Sequence, residues 1–321
     1  MGEGSNRLIS DWLVIVNPNA GRRKGEKDWF IINEQLVDAG LVFESVFTTH
    51  KEHAIALTTK FIKKGYRKFI VVGGDGTLNE LVNGIFFQKI VPTREFLIAL
   101  IPVGTGNDWC RMFHVPFKYS EAIRLINEGN TFIQDIGKVS YQNSSSQKHR
   151  YFINVAGMGY DAEVAAKTNR DKEKGRGGPL SYLKNLFSSL LFYKYTDTEI
   201  SIDGSAEKFK NKTFSLSIGI CKYNGGGMMQ LPYAIPDDGL LDMTLIKKLG
   251  KFTVLKEVKN LYNGTFIKHP KVQTYRGKTI RIESKPDIYL EVDGESLGHS
   301  PFSFEVIPQS LRVIVGEGTT H

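Results

Sequence analysis

Cysteine is scarce. Cys110 and Cys221 are the only two in 321 residues, which excludes a disulfide framework and a thiolate metal cluster and points to a reducing compartment, the cytoplasm. Seven histidines show no metal-ligand spacing. Long apolar runs are also missing: none approaches the roughly 20 residues a spanning helix needs, and the run at 96–103 has strand length. Residues 1–10 are polar and lack an apolar core, which argues against secretion. No nucleophile elbow of a serine hydrolase occurs. There is no G-x-G-x-x-G fingerprint, and no Gly-Lys-Ser/Thr follows the glycines of the loop described below. Repeats and low-complexity tracts are absent.

Negative charge is the scarcer sign, 34 Asp and Glu against 42 Lys and Arg, so the formal charge is +8. An anionic partner follows, whether a nucleotide, an acidic lipid surface or a nucleic acid. No groove-entering helix or base-stacking motif accompanies the charge, so nucleic acid is not expected. The length suffices for two cores.

The most informative stretch is Val71-Val72-Gly73-Gly74-Asp75-Gly76-Thr77-Leu78-Asn79-Glu80. It reads as a buried strand, a tight glycine loop holding one carboxylate, and a helix start. Glycine lets backbone amides close around phosphate oxygens, and the helix N-terminus adds partial positive charge. Thr77 and Glu80 have capping-box spacing. An aspartate beside phosphates is repelled unless a divalent cation lies between them, so the loop reads as a Mg-nucleotide site. A strand-to-helix turn with a solvated Asp is the competing reading.

The first 137 or so residues alternate strand and helix signals. Strands are expected over 12–16, 42–48, 69–72 and 96–101, with helices around 30–37, 53–64 and 78–87. This rhythm predicts an open, mostly parallel sheet covered by helices. Ligands bind at the carboxyl ends of such strands, where three loops, 17–21, 73–77 and 104–108, are rich in Gly, Asn, Thr and Asp. From 138 the character turns β-rich. Strands are expected over 151–155, 198–203, 214–220, 241–246, 279–283 and 288–292, suggesting a sandwich or barrel. Helices are expected around 180–191 and 252–262, and a polar loop tip at 142–149. The predicted division is residues 1–137, with a return near 308–321, and residues 138–307.

With both glycine loops placed, the chain resembles the diacylglycerol kinase catalytic-domain family, which includes bacterial lipid kinases, sphingosine kinases and ceramide kinases. The matching residues are Asn17-Pro18 with Gly21; Thr48-Thr49 before His53-Ala54; Gly73 to Glu80 with Asn83-Gly84; and Pro102 to Asp108. They continue with Asp135-Ile136-Gly137, Asp238 to Asp242, His269 to Val272 and Val292-Asp293-Gly294-Glu295. NAD kinases share the shorter GGDGT, but the continuation through Asn83-Gly84 is similar to the lipid kinases.

The resemblance implies an α/β ATP-binding domain and a β-rich sandwich domain, with substrate entering between them. Asn17, Asn19, Gly21, Thr48, Gly74, Asp75, Gly76, Thr77, Asn79, Glu80 and Thr105 would surround ATP. Asp75 would serve Mg²⁺, supported by Asp108 and Asp135 through a carboxylate–water network. Glu295 or Asp293 would be the general base for a lipid hydroxyl, diacylglycerol foremost, with a sphingoid base, ceramide, phosphatidylglycerol or a prenyl alcohol as alternatives. A second, structural Mg²⁺ would sit at Ile235, Asp238 and Leu240, partly on backbone carbonyls. The partners implied are ATP and a lipid at a membrane surface, with peripheral contact at the inner membrane face and a homodimer both admitted. A non-catalytic nucleotide or lipid sensor is the rival from another class.

Two features read either way. Gly225-Gly226-Gly227 before Met228-Met229 fits a lid over an acyl chain or, preferred here, a loop whose methionines cap a core. The basic stretch 167–176 and the apolar helix after it fit a membrane collar or a solvated loop leading to a core helix.

Overall fold

Trp12–Val16 is β1, five consecutive buried residues. It is sandwiched in the sheet plane by β2 (Phe43–Phe47) and β3 (Lys68–Gly73), both parallel to it, and β4 (Leu97–Pro102) continues the parallel sheet beyond β3. A strand covered on both faces is apolar throughout rather than alternating. Helices α1 (Ala20–Lys27), α2 (Trp29–Asp38), α3 (His53–Lys63) and α4 (Asp75–Phe87) join these strands, followed by α5 (Asp108–Met112) and α6 (Tyr119–Glu128). The computed structural model describes residues 11–144, 146–173 and 179–319.

The remaining strands are β5 (Thr131–Asn143), β6 (Ser146–Phe152), β7 (Val155–Gly159), β8 (Thr196–Ile202) and β9 (Phe209–Gly219). A two-residue hairpin, β10 (Tyr223–Asn224) and β11 (Met228–Met229), precedes β12 (Leu241–Lys247), β13 (Val272–Gly277), β14 (Thr279–Lys285), β15 (Tyr289–Val292) and β16 (Glu295–Ile314). The antiparallel run β13-β12-β9-β7-β15 leads to β16, which also pairs with β14 and β5. Arg312 and Val313 of β16 then pair in parallel with Leu97 and Ile98 of β4. One strand of 20 residues thereby belongs to both halves. Phe152, Leu216, Ile218, Ile280, Ile282, Leu290 and Phe304 fill the β-rich core. Helices α7 (Tyr160–Glu173), α8 (Pro179–Phe192) and α9 (Lys251–Leu261) are the helices of this half.

Several expectations need correction. The strand predicted over 151–155 is two strands broken at Ile153 and Asn154, because the Asp293 carboxylate accepts the amides of Ile153, Asn154 and Val155. The polar loop tip at 142–149 is the end of the β5–β6 hairpin, paired from Gly137↔Phe152 to Asn143↔Ser146. The basic stretch is helical as far as Glu173, in α7, and its residues 174–176 lie outside the described residues. Among the described residues no helix is long and apolar enough to cross a membrane.

Phe304 is fully buried, edge-on to Phe152, whereas Phe252 is 90% exposed. Phe304→Ala is expected to cost about 3–5 kcal/mol and Phe252→Ala less than about 0.5 kcal/mol. Equilibrium urea unfolding checks both.

Candidate active site

At the carboxyl ends of β1, β3 and β4 three loops touch through their backbones. A Cβ on Gly104 would lie 2.7 Å from the Gly74 Cα, so no larger residue fits where these two loops meet. Gly21, with φ of 59°, packs onto the Val103 carbonyl, and Asn17 Nδ2 donates to Thr77 Oγ1 at 2.8 Å. Asn19 closes the first loop by donating its amide to Asn17 Oδ1. Thr48 is buried and donates its amide to Val16, beside the same edge, while Thr105 is exposed in the third loop.

Helix α4 starts at Asp75, earlier than expected, with Gly74 as its N-cap. The capping box between Thr77 and Glu80 therefore does not form, since both residues already lie inside the helix. Glu80 instead accepts the amides of Glu52 and Ala54, at the start of α3. Asn79 is equally occupied: it donates to Asp293 Oδ2 and to the Tyr151 carbonyl and accepts from Arg150 Nε. Both side chains fasten the loop from behind rather than face its open side.

Asp75 accepts the amides of Asp108 and Trp109, the start of α5, at 3.1 Å each. Asp108 accepts the amides of Gly226 and Gly227 at 2.8 and 2.6 Å. Burial and the neighbouring Asp75 charge push the Asp108 carboxyl up to about 6. The triple-glycine turn thus wraps a carboxylate, a role neither reading of it anticipated. Both carboxylates lie beside Gly106, where an added Cβ would be 3.3 Å from Asp75 Oδ2 and 3.6 Å from Asp108 Oδ2. Buried Asn107 Oδ1 faces this region without a protein partner.

These observations fit a magnesium nucleotide. Asp108, whose carboxyl burial and the Asp75 charge push up, gains from a cation beside it, and the α4 N-terminus favours phosphate. Among the described residues no three His, Cys, Asp or Glu side chains are grouped to hold a metal by themselves.

Asp135 is fully buried but accepts the amides of Gly239 and Gln309; none of these bonds reaches Asp75 or Asp108. The residues of the expected second metal site fit poorly. Ile235 is 43% exposed. Asp238 accepts the Leu240 amide and is ion-paired to Arg276, which also meets Asp242. A cation there would compete with a guanidinium already in place.

The two carboxylates of the Asp293-Gly294-Glu295 turn differ. Asp293, at φ 48°, accepts from Asn79, Ile153, Asn154 and Val155. Glu295 is 27% exposed, is ion-paired to Lys51 at 2.5 Å, and lies where a Cβ on Gly76 would be 3.3 Å from its Oε1. The turn places Glu295 against the glycine loop and Asp293 behind it. Lys51 and Arg150 escaped the sequence reading, and the contact of Gly226 and Gly227 with Asp108 did too, since partners far apart in the chain leave no local pattern.

The two halves match two family models: residues 11–139 the diacylglycerol kinase catalytic domain, and residues 154–315 the YegS C-terminal NAD kinase beta sandwich-like domain. The diacylglycerol kinase of Staphylococcus saprophyticus is 31% identical over 94% of this chain and 93% of its own. That of Staphylococcus aureus is 32% identical over 94% and 90%. A Bacillus anthracis crystal structure with a provisional diacylglycerol kinase assignment superimposes with a TM-score of 0.76 at 26% identity, covering 98% of this chain and 99% of that one. Yeast NADH kinase, at a TM-score of 0.52 and 11% identity over 98% and 85% of the two chains, shares the fold alone. The chain belongs to the diacylglycerol kinase catalytic-domain family and is an ATP-dependent lipid kinase.

Proposed function

We propose that the chain transfers the γ-phosphoryl group of ATP to the free hydroxyl of diacylglycerol, forming phosphatidic acid, with Glu295 as the general base. The observation that carries the acceptor side is a pocket in the β-rich half, walled by β9, β12, α8 and α9. Its walls are largely apolar, with Leu186, Leu190, Val254, Val258 and Phe266 among them. Asp161, Ser215, Ser217, Gln230 and Thr244 make a polar patch in the same wall. Apolar walls suit acyl chains and a few convergent polar groups suit a glycerol head. Such an acceptor is held in a lipid phase, so a membrane surface is the expected partner.

A hydrogen-bonded chain connects this patch to the catalytic turn. Ser217 Oγ donates to Asp161 and Gln230, and Asn224 Nδ2 bridges Gln230 Oε1 and Glu291 Oε1. Glu291 accepts the Gly294 amide, while Asn169 Nδ2 donates to the Gly294 carbonyl. The peptide that presents Glu295 is thereby gripped on both sides. Phosphoryl transfer is chiefly positioning and charge stabilisation, so a rigid turn matters more than covalent help.

In this reading Asp75 and Asp108 would hold Mg²⁺, which would supply positive charge to the phosphates when bound. The loops at Asn17–Gly21, Gly74–Thr77 and Gly104–Asp108 orient the nucleotide. Glu295 accepts the hydroxyl proton as oxygen attacks phosphorus, and Lys51 holds its carboxylate in register. Asp293 is a weaker candidate for base, because its two oxygens already accept four hydrogen bonds.

Transfer from labelled ATP to a panel of diacylglycerol, ceramide, sphingosine, phosphatidylglycerol and undecaprenol, with NAD as soluble control, tests the acceptor. Mg²⁺-dependent labelling of diacylglycerol is the expected result, and labelled NADP or no lipid product would refute it. Asp75→Asn should abolish turnover. Glu295→Gln should lower kcat by about 10² to 10⁴ with ATP affinity retained, the range for a lost general base. Asp293→Asn should chiefly lower Tm; a Glu295→Gln enzyme with near-normal kcat would reverse the two assignments.

Glu291 generates a pH prediction. Burial pushes its carboxyl up to about 8, against roughly 4.3 in an unfolded chain. Between those values the folded state binds the extra proton. Glu291 thus contributes stability that is fully present at low pH and is lost as pH rises toward 8. Glu291→Gln should flatten this fall and raise Tm at pH 8 relative to the parent; parallel Tm–pH curves would show that Glu291 is ionised in the fold.

A further inference from the structure

Helix α9 has eleven residues and none is buried. Its two faces nevertheless differ. Val254, Val258 and Leu261, spaced i, i+4 and i+7, line the cavity. Phe252, Lys256 and Lys259 share the same spacing on the opposite face, all three exposed, Phe252 by 90%. Helix α8 lies alongside, where Lys251 Nζ donates to the Leu191 carbonyl at 2.5 Å. It adds exposed Leu191, and Tyr262 at the end of α9 is half exposed.

The charges around this face have one sign. Between 248 and 262 the chain carries Lys248, Lys251, Lys256 and Lys259 against one acid, Glu257. Glu257 faces inward: it lines the cavity and accepts from Asn260 Nδ2. On the neighbouring elements Lys184 and Lys194 are exposed and add no negative charge. Exposed aromatic and aliphatic side chains flanked by lysines, with the one acid of α9 turned inward, match the headgroup region of an anionic bilayer, where rings enter the acyl boundary and ammonium groups meet phosphates.

We propose that the outer face of α8 and α9 docks on an anionic lipid bilayer, with Phe252 and Leu191 entering it and Lys256 and Lys259 on its headgroups. The inference rests on the lipid kinase reading, because it is the continuity of this face with the walls of the acyl cavity that selects a bilayer as occupant. The helices that touch the membrane are those that enclose the cavity. Docking therefore sets the cavity against the phase holding the acceptor. Few buried contacts make α9 the wall that opens most readily.

The test is co-sedimentation of the full chain, without ATP, with vesicles of phosphatidylcholine alone or mixed with phosphatidylglycerol. Binding is expected to the mixed vesicles, falling as salt rises. Lys256→Glu/Lys259→Glu should weaken it by about tenfold or more, each basic residue near such a surface contributing on the order of a fivefold effect. Phe252→Asp should weaken it in both low and high salt. Both variants should phosphorylate a monomeric short-chain diacylglycerol at the parental rate, since none of the three residues lines the cavity or the nucleotide loops. Unchanged vesicle binding in both variants would overturn the proposal. So would a concentration-dependent dimer abolished by Phe252→Asp in a protein that binds no vesicles, which would assign the face to a second copy. Because sedimentation needs no turnover, a parent that binds anionic vesicles yet phosphorylates no lipid would sink the kinase reading and leave the docking surface standing.

Discussion

Asp293 holds the two halves of the molecule in one working geometry. Its buried carboxylate takes hydrogen bonds from Asn79 on α4 and from the amides of Ile153, Asn154 and Val155. One side chain thereby ties the helix of the glycine loop, the break between β6 and β7, and the turn that carries Glu295. Four donors ordinarily hold a carboxyl well below its usual range; burial opposes them and wins, pushing Asp293 up to about 7. Asn79 is fixed in turn by Arg150 and Asn83. The network is buried and polar, so removal of a member leaves unpaired groups where water does not reach, a costly arrangement.

Around that staple the chemistry is divided by burial. Asp108 lies beneath the glycine loops close enough to Asp75 that the Asp75 charge, with burial, raises the cost of ionising it. Glu295 is partly exposed and paired to a lysine. Neighbouring carboxylates thus acquire different tasks from their surroundings: one is structural because its acceptors are saturated, and another is available because it is not.

The cavity adds a second organising feature. The strands β9 and β12 alternate, with Leu216, Ile218, Met243 and Leu245 in the core and Ser215, Ser217 and Thr244 on the cavity wall. The same alternation that builds the sandwich supplies the polar patch that, through Gln230, Asn224 and Glu291, reaches the turn that carries Glu295.

The parallel sheet was legible because strands buried on both faces are written as apolar runs, as in Trp12–Val16 and Lys68–Gly73. The glycine loops were legible because backbone approach permits no side chain at Gly74 or Gly104. Less legible was the long strand Glu295–Ile314, half-exposed in places and carrying Gly and Pro, and the local capping signal at Thr77 and Glu80 lost to longer-range partners. Sequence by itself determined the α/β order, the convergence of three polar loops and the presence of a carboxylate among them, all properties of local pattern. Only the tertiary structure decided which carboxylate is saturated and buried, Asp293, and which is partly exposed and paired to a cation, Glu295 with Lys51. Hydrogen-bond saturation and burial are set by residues more than a hundred positions away, and no spacing along the chain records them.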